Sequence, residues 1–72
     1  MERDEQNIEL KTLGKAIRGC RESSGLSQFK LSIEIGLSEN QVGRIERGES
    51  NPTARTLFKI AKALKVDIKS FF

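Results

Sequence analysis

Apolar residues fall along this chain in helical stripes separated by breaks rich in glycine, serine and threonine. From Ile8 or Glu9 to Gly25, Leu10, Leu13, Ile17 and Cys20 recur at three-four-three spacing, which aligns them on one helix face. Lys11, Lys15, Arg18 and Glu22 fall mainly on the other faces, and Gly25 after Ser23-Ser24 is a natural stop. Ser27 is a good N-cap for a second helix, although Lys30 sits where a capping-box glutamate would be. Leu31 and Ile35 make its inward face. Phe29 and Ile33 form a second apolar pair on a different side. The pattern predicts that at least one of these two packs back on the first helix; the alternative is an exposed patch used by a partner.

Gly36 supplies backbone free to take positive φ, and Leu37 turns back toward the core. Ser38 and Gln41 complete a Ser-x-x-Gln capping box that opens a third helix. Val42 and Ile45 are its buried pair; Glu39, Asn40, Gly43, Arg44 and Arg47 are left outward, and Gly48 ends it. Glu49 to Pro52 is a loop by composition, with Thr53 as the next N-cap. Leu57, Ile60, Ala61 and Leu64 give the clearest amphipathic pattern, with Arg55, Lys59, Lys62 and Lys65 off that face. Asp67 caps a last short turn, IKSFF, whose Ile68 and one of Phe71 or Phe72 should close the bottom of the core. No alternating Val/Ile/Thr run signals a strand. Residues 1–8 have little apolar content and are expected to form a disordered acidic leader. Residues 9–72 are then one all-α domain of five short helices, with a helix, turn and helix at about 27–48.

Composition narrows the chemistry. A chain of 72 residues has a thin core and little room for a deep catalytic pocket. With no histidine, no tyrosine and no carboxylate pair across a plausible cleft, an enzyme is not expected. Cys20 continues the apolar stripe and reads as a small core residue. As the single cysteine it excludes an intramolecular disulfide, and without histidine neither a metal cluster nor a cofactor is proposed. No apolar run approaches the roughly 18 residues of a membrane span, and the N-terminus lacks a signal peptide's apolar region. A soluble, cytoplasmic protein is expected. The net charge of +3 hides an asymmetry: residues 1–9 balance to −3 and residues 10–72 to +6. A basic globular part suits a polyanionic partner.

Two short helices held by a tight turn are the architecture that places one helix in the DNA major groove. On the outward face of helix 38–47, Asn40 can bridge an adenine edge and Arg44 can pair bidentately with guanine. Glu39 can accept from cytosine or favour the positive helix end. Gly43, costly inside a helix, is understandable if the helix must approach another surface closely there. For phosphates, Ser27 and Gln28 open the second helix with amide donors, Ser38 and Arg47 bracket the third, and Asn51, with Ser50 and Thr53, is a weaker candidate.

These residues carry a resemblance. Gly-Leu-Ser-Gln at 25–28, Leu31, Gly36-Leu37-Ser38, Val42, Ile45-Glu46-Arg47-Gly48, Asn51-Pro52, Leu57, and Ala61-x-x-Leu64-x-Val66 resemble the lambda-repressor-like, Cro-type helix-turn-helix family. That family includes phage and bacterial repressors and restriction-modification controller proteins. The resemblance implies a compact five-helix fold in which Gln28 contacts a phosphate and Glu39, Asn40 and Arg44 read bases. It also implies a structural ion pair between Arg21 and Glu46. Ser32 replaces a usual alanine, and Phe29 and Ile33 replace residues that are commonly polar. With the chain ending at Phe72, no separate sensing domain is expected. Family members this short usually bind as homodimers through their final helices, here Ile68, Phe71 and Phe72 with Phe58.

The expectation is a transcriptional regulator, repressor or controller, bound as a homodimer to a pseudo-palindromic double-stranded operator. Glu34 or Glu39 would be the candidate contact to RNA polymerase. The alternative is a protein-interaction module, such as an antitoxin or anti-repressor partner, and the Phe29/Ile33 pair is the feature in its favour.

Overall fold

Three of the helices begin where a flanking hydroxyl supplies a hydrogen bond that the helix's own ladder lacks. A computed structural model describes residues 2–72, with side chains from Ile8 onward. The described chain runs α1 (Glu2–Ser23), α2 (Gln28–Ile35), α3 (Glu39–Glu46), α4 (Ala54–Leu64) and a 3-10 turn (Ile68–Phe71). Ser27, Ser38 and Thr53 hydroxyls accept from the backbone N–H groups of Lys30, Gln41 and Thr56, at 3.0, 3.1 and 3.1 Å. Each satisfies one of the donors orphaned at a helix start. Gly36, at φ 74°, closes α2 in the left-handed conformation a side chain would resist. Its N–H turns back to Ile33, and that of Leu37 to Ser32.

Ile17, Leu31, Val42 and Ile60 are fully enclosed. Ile35, Ile45, Leu57, Ala61, Leu64 and Phe71 complete one core, with Leu13, Cys20, Leu37 and Ile68 packed against its edge. α2 lies on α3 and α4, while α1 crosses α3 and meets the 3-10 turn. The α1–α3 crossing is unusually close. A Cβ placed on Gly14 would stand 2.5 Å from the Ile45 carbonyl oxygen, and one on Gly48 would stand 2.7 Å from the Lys11 backbone. The end of α3 therefore rests on α1 main chain to main chain.

Four expectations change. α1 starts at Glu2, so the helix occupies most of the stretch expected as a leader, and Met1 lies outside the described residues. Residues 2–8 hold no glycine or proline, and a helix formed from Ile8 extends back through them at little cost. The fifth helix is a 3-10 turn of four residues. Phe29 and Ile33 are both exposed, at 56% and 65%. At 100° per residue, Leu31, Ser32 and Ile35 fill the inward arc of α2, which turns positions 29 and 33 outward. Ser32 fits that arc because its hydroxyl donates to the Phe29 carbonyl, 2.6 Å away. Finally, of the two terminal phenylalanines expected at a partner contact, Phe71 is buried in the core, while Phe72 keeps its ring exposed.

Candidate nucleic-acid interface

α3 is held from behind and bare in front. Its capping box is complete: Gln41 accepts from the Ser38 N–H at 2.8 Å, in return for the bond from its own N–H. Val42, Ile45 and Glu46 face inward, while Glu39, Asn40, Arg44 and Arg47 are exposed. Asn40 and Arg44, four residues apart, stand side by side on one ridge of the helix. Neither enters an ion pair or a side-chain hydrogen bond among the described residues. Gly43, expected outward, is buried. It belongs to the arc of Val42 and Glu46, and the Arg47 side chain lies across it. A Cβ there would be 2.9 Å from Arg47 Nη1 and 3.7 Å from Gln28 Oε1. The surface that Gly43 admits is the protein's own.

Behind α3 sits a buried polar knot. Arg21 Nε donates to Glu46 Oε2 at 2.6 Å and Nη2 to Oε1 at 3.1 Å, a two-pronged pair whose side chains are 11% and 2% exposed. Arg21 Nη1 donates to the Leu26 carbonyl at 2.8 Å, and Gln28 Nε2 donates to Glu46 Oε1 at 3.0 Å. The hydrogen bond to Glu46 raises the pKa of Arg21, against the opposing effect of burial. α1, the following turn, the first residue of α2 and the last of α3 are thereby tied together. Gln28 is half-buried, with its amide nitrogen committed to the knot.

The other phosphate candidates divide. Ser27 and Ser38 are exposed, but their hydroxyls are engaged as caps. Arg47 is exposed, and its guanidinium lies across Gly43. There it makes a two-pronged pair with Glu49, Nε to Oε2 at 2.9 Å and Nη2 to Oε1 at 3.2 Å. That hydrogen bonding raises the pKa of Arg47 and holds the Glu49 carboxyl below its ordinary range, with Arg44 adding to the latter. Glu49 is a functional candidate that periodicity misses, because it lies past the last helical position. The visible signal is opposite charges two apart across a helix-ending glycine. Asn51 is exposed, and with Ser50 and Thr53 it lines one side of a groove of about 210 Å³ whose other side carries Gln41 and Arg44.

Elsewhere, Ile8, Leu10 and Leu13 of α1 and Phe71 and Phe72 line an apolar groove of about 430 Å³. Phe72 is 83% exposed there, and Ile8, absent from the expected interface, is 63% exposed. Ile68 is half-buried, and Phe58 is exposed on α4 outside this groove.

Comparison with known proteins places this arrangement. The Helix-turn-helix (HTH_3) family matches residues 17–71. The HTH-type transcriptional regulator SutR of Escherichia coli is 39% identical over 59 residues, covering 82% of this chain but 33% of its own length. An uncharacterized HTH-type transcriptional regulator of Sinorhizobium fredii, y4dJ, is 36% identical over 78% of this chain and 73% of its own. This chain thus spans only about a third of SutR, and nearly three quarters of y4dJ. In three dimensions it resembles the restriction-modification controller protein C.AhdI of Aeromonas hydrophila. The TM-score is 0.86 at 34% identity, covering 90% of this chain and 98% of that one. No described helix is long and apolar enough to cross a membrane. The chain belongs to the helix-turn-helix family of DNA-binding transcriptional regulators.

Proposed function

We propose that the chain represses transcription from the cytoplasm as a homodimer on a pseudo-palindromic operator, each copy inserting α3 into a major groove. The observation that carries the reading is the exposed, uncommitted Asn40–Arg44 ridge on a helix whose other sides are capped, packed or tied. Arg44 offers the fork that matches guanine O6 and N7, and Asn40 the donor and acceptor that match adenine. Arg47, Ser27, Gln28 and Asn51 flank that ridge and would position the phosphate backbone. Likeness to a restriction-modification controller supports the reading, since that neighbour matches almost end to end. Repression follows from occluding polymerase; activation would need an exposed acidic residue beside the DNA to contact it.

The test is selection of bound DNA from a random pool, with the mass of the complex measured. The expected result is two inverted half-sites centred about 34 Å apart, occupied by two copies. Arg44→Ala should lose on the order of 1–3 kcal/mol and relax preference at one base pair. Uniform weakening on every sequence would remove Arg44 from the base-reading role. A second reading, a protein-interaction module, is favoured by the outward Phe29 and Ile33. Failure to enrich any sequence would favour it.

A further inference from the structure

Arg47 and Glu49 stand out because both of their charged groups are spent on each other at the edge of the candidate DNA face. We propose that Glu49 is a built-in stand-in for a DNA phosphate: it occupies Arg47 in the free protein and sets affinity for duplex without reading a base. The inference rests on the DNA-binding reading above and concerns the regulation of that same surface.

Three observations carry it. The first is the geometry of the pair, two parallel N–H to oxygen bonds at 2.9 and 3.2 Å. This is the fork by which a guanidinium holds either a carboxylate or a phosphate. The second is that Glu49 is placed by the backbone. Gly48 turns the chain at φ 75°, and the Glu49 N–H donates to the Arg44 carbonyl at 2.8 Å, which closes α3 and points residue 49 back along the helix. The third is where the guanidinium lies. Gly43 has no side chain to displace it, so the Arg47 guanidinium lies across Gly43, where a Cβ would meet Nη1 at 2.9 Å and Gln28 Oε1 at 3.7 Å. A phosphate approaching there would meet the Arg47 guanidinium on the face of α3 that carries Arg44. It would also meet the Glu49 carboxylate.

The pair is half exposed, 55% and 51% by side chain, so duplex can reach it and exchange is not blocked by packing. Exposed ion pairs of this kind are weak, so a phosphate can replace the carboxylate. Once displaced, Glu49 remains next to a polyanion and next to Arg44, whose field it also partly neutralises. Both effects lower affinity for any duplex, whatever its sequence.

The experiment compares Glu49→Gln with Glu34→Gln, an equal charge change at an exposed position on the α2–α4 side. Binding is measured on the selected operator and on a random duplex across a salt series. Glu49→Gln should tighten both by the same factor, on the order of three- to tenfold, and steepen the salt dependence as more phosphate contact is gained. Glu34→Gln should do markedly less. In an Arg47→Gln background the gain from Glu49→Gln should fall to a small part of that seen with Arg47 present. Equal effects of the two glutamates would reduce Glu49 to bulk charge. A gain that survives Arg47→Gln undiminished would leave only repulsion, and a changed base preference would make Glu49 a reader; each outcome overturns the proposal. Melting curves of the variants confirm that folding is intact. If the unaltered chain binds no duplex, the DNA-binding reading fails first and this inference falls with it.

Discussion

Among the charged residues that end α3, Arg44 and Arg47 face outward while Glu46 turns inward, where Arg21 and Gln28 meet its carboxylate. Removing one partner from a buried pair leaves the other charge stranded, at a cost of about 3–5 kcal/mol. Domains of this kind are stable by only about 5–15 kcal/mol, so Glu46→Ala should bring the chain close to unfolding. Urea denaturation followed by circular dichroism checks this. An unmoved midpoint would mean that the knot contributes nothing to the fold. At this scale the sequence is legible where periodicity speaks. Asn40 and Arg44 fall outside the arc of Val42 and Ile45, and their exposure follows. Gly43 is opaque for the opposite reason: a residue without a side chain carries no polarity by which to assign it to a face. Glu49 is opaque because its partner is chosen by a turn, which hydrophobic spacing does not describe.

Helices here are set by their ends and by how near they can approach. The three serine and threonine caps are readable in advance, because a cap is a local bargain between a hydroxyl and a backbone amide two or three residues on. The α1–α3 crossing is not, since nothing along the chain shows that Gly14 and Gly48 face another main chain. Two glycines in the same helix make this testable. Gly19 has open space where its Cβ would go, so Gly19→Ala should stabilise by about 1 kcal/mol through helix propensity alone. Gly14→Ala enjoys the same propensity gain but drives a methyl group into backbone carbonyls, a clash that costs about 1–3 kcal/mol or more. Thermal melts should therefore move in opposite directions. If both rise, the two helices are not in main-chain contact. Phe29 and Ile33 show the limit of pattern reading at the element level: four-residue spacing identifies a stripe but not what covers it.

For the molecule as a whole, arithmetic favours two copies. α3 has eight residues and is about 12 Å long, enough to span roughly four base pairs. So short a site recurs too often to be singled out among the ~10⁶ or more competitors a genome offers. On the proposed dimer, the apolar groove lined by Ile8 and Phe72 is the surface we assign to the twofold contact. Phe72→Ser should weaken self-association and operator affinity together while leaving the melting temperature nearly unchanged, because that ring lies outside the core. Sedimentation equilibrium with parallel binding curves reads this. A dimer of unaltered strength would move the contact elsewhere, to Phe58 or the α2 pair. The close seat of α3 on α1 has a further consequence. Its register is set by glycines and by Glu46, none of which belongs to the Asn40–Arg44 ridge, so under the proposed reading frame and lettering are written on different residues. Exchanging Glu39, Asn40 and Arg44 would then re-address the protein to another operator without asking the rest of the chain to refold.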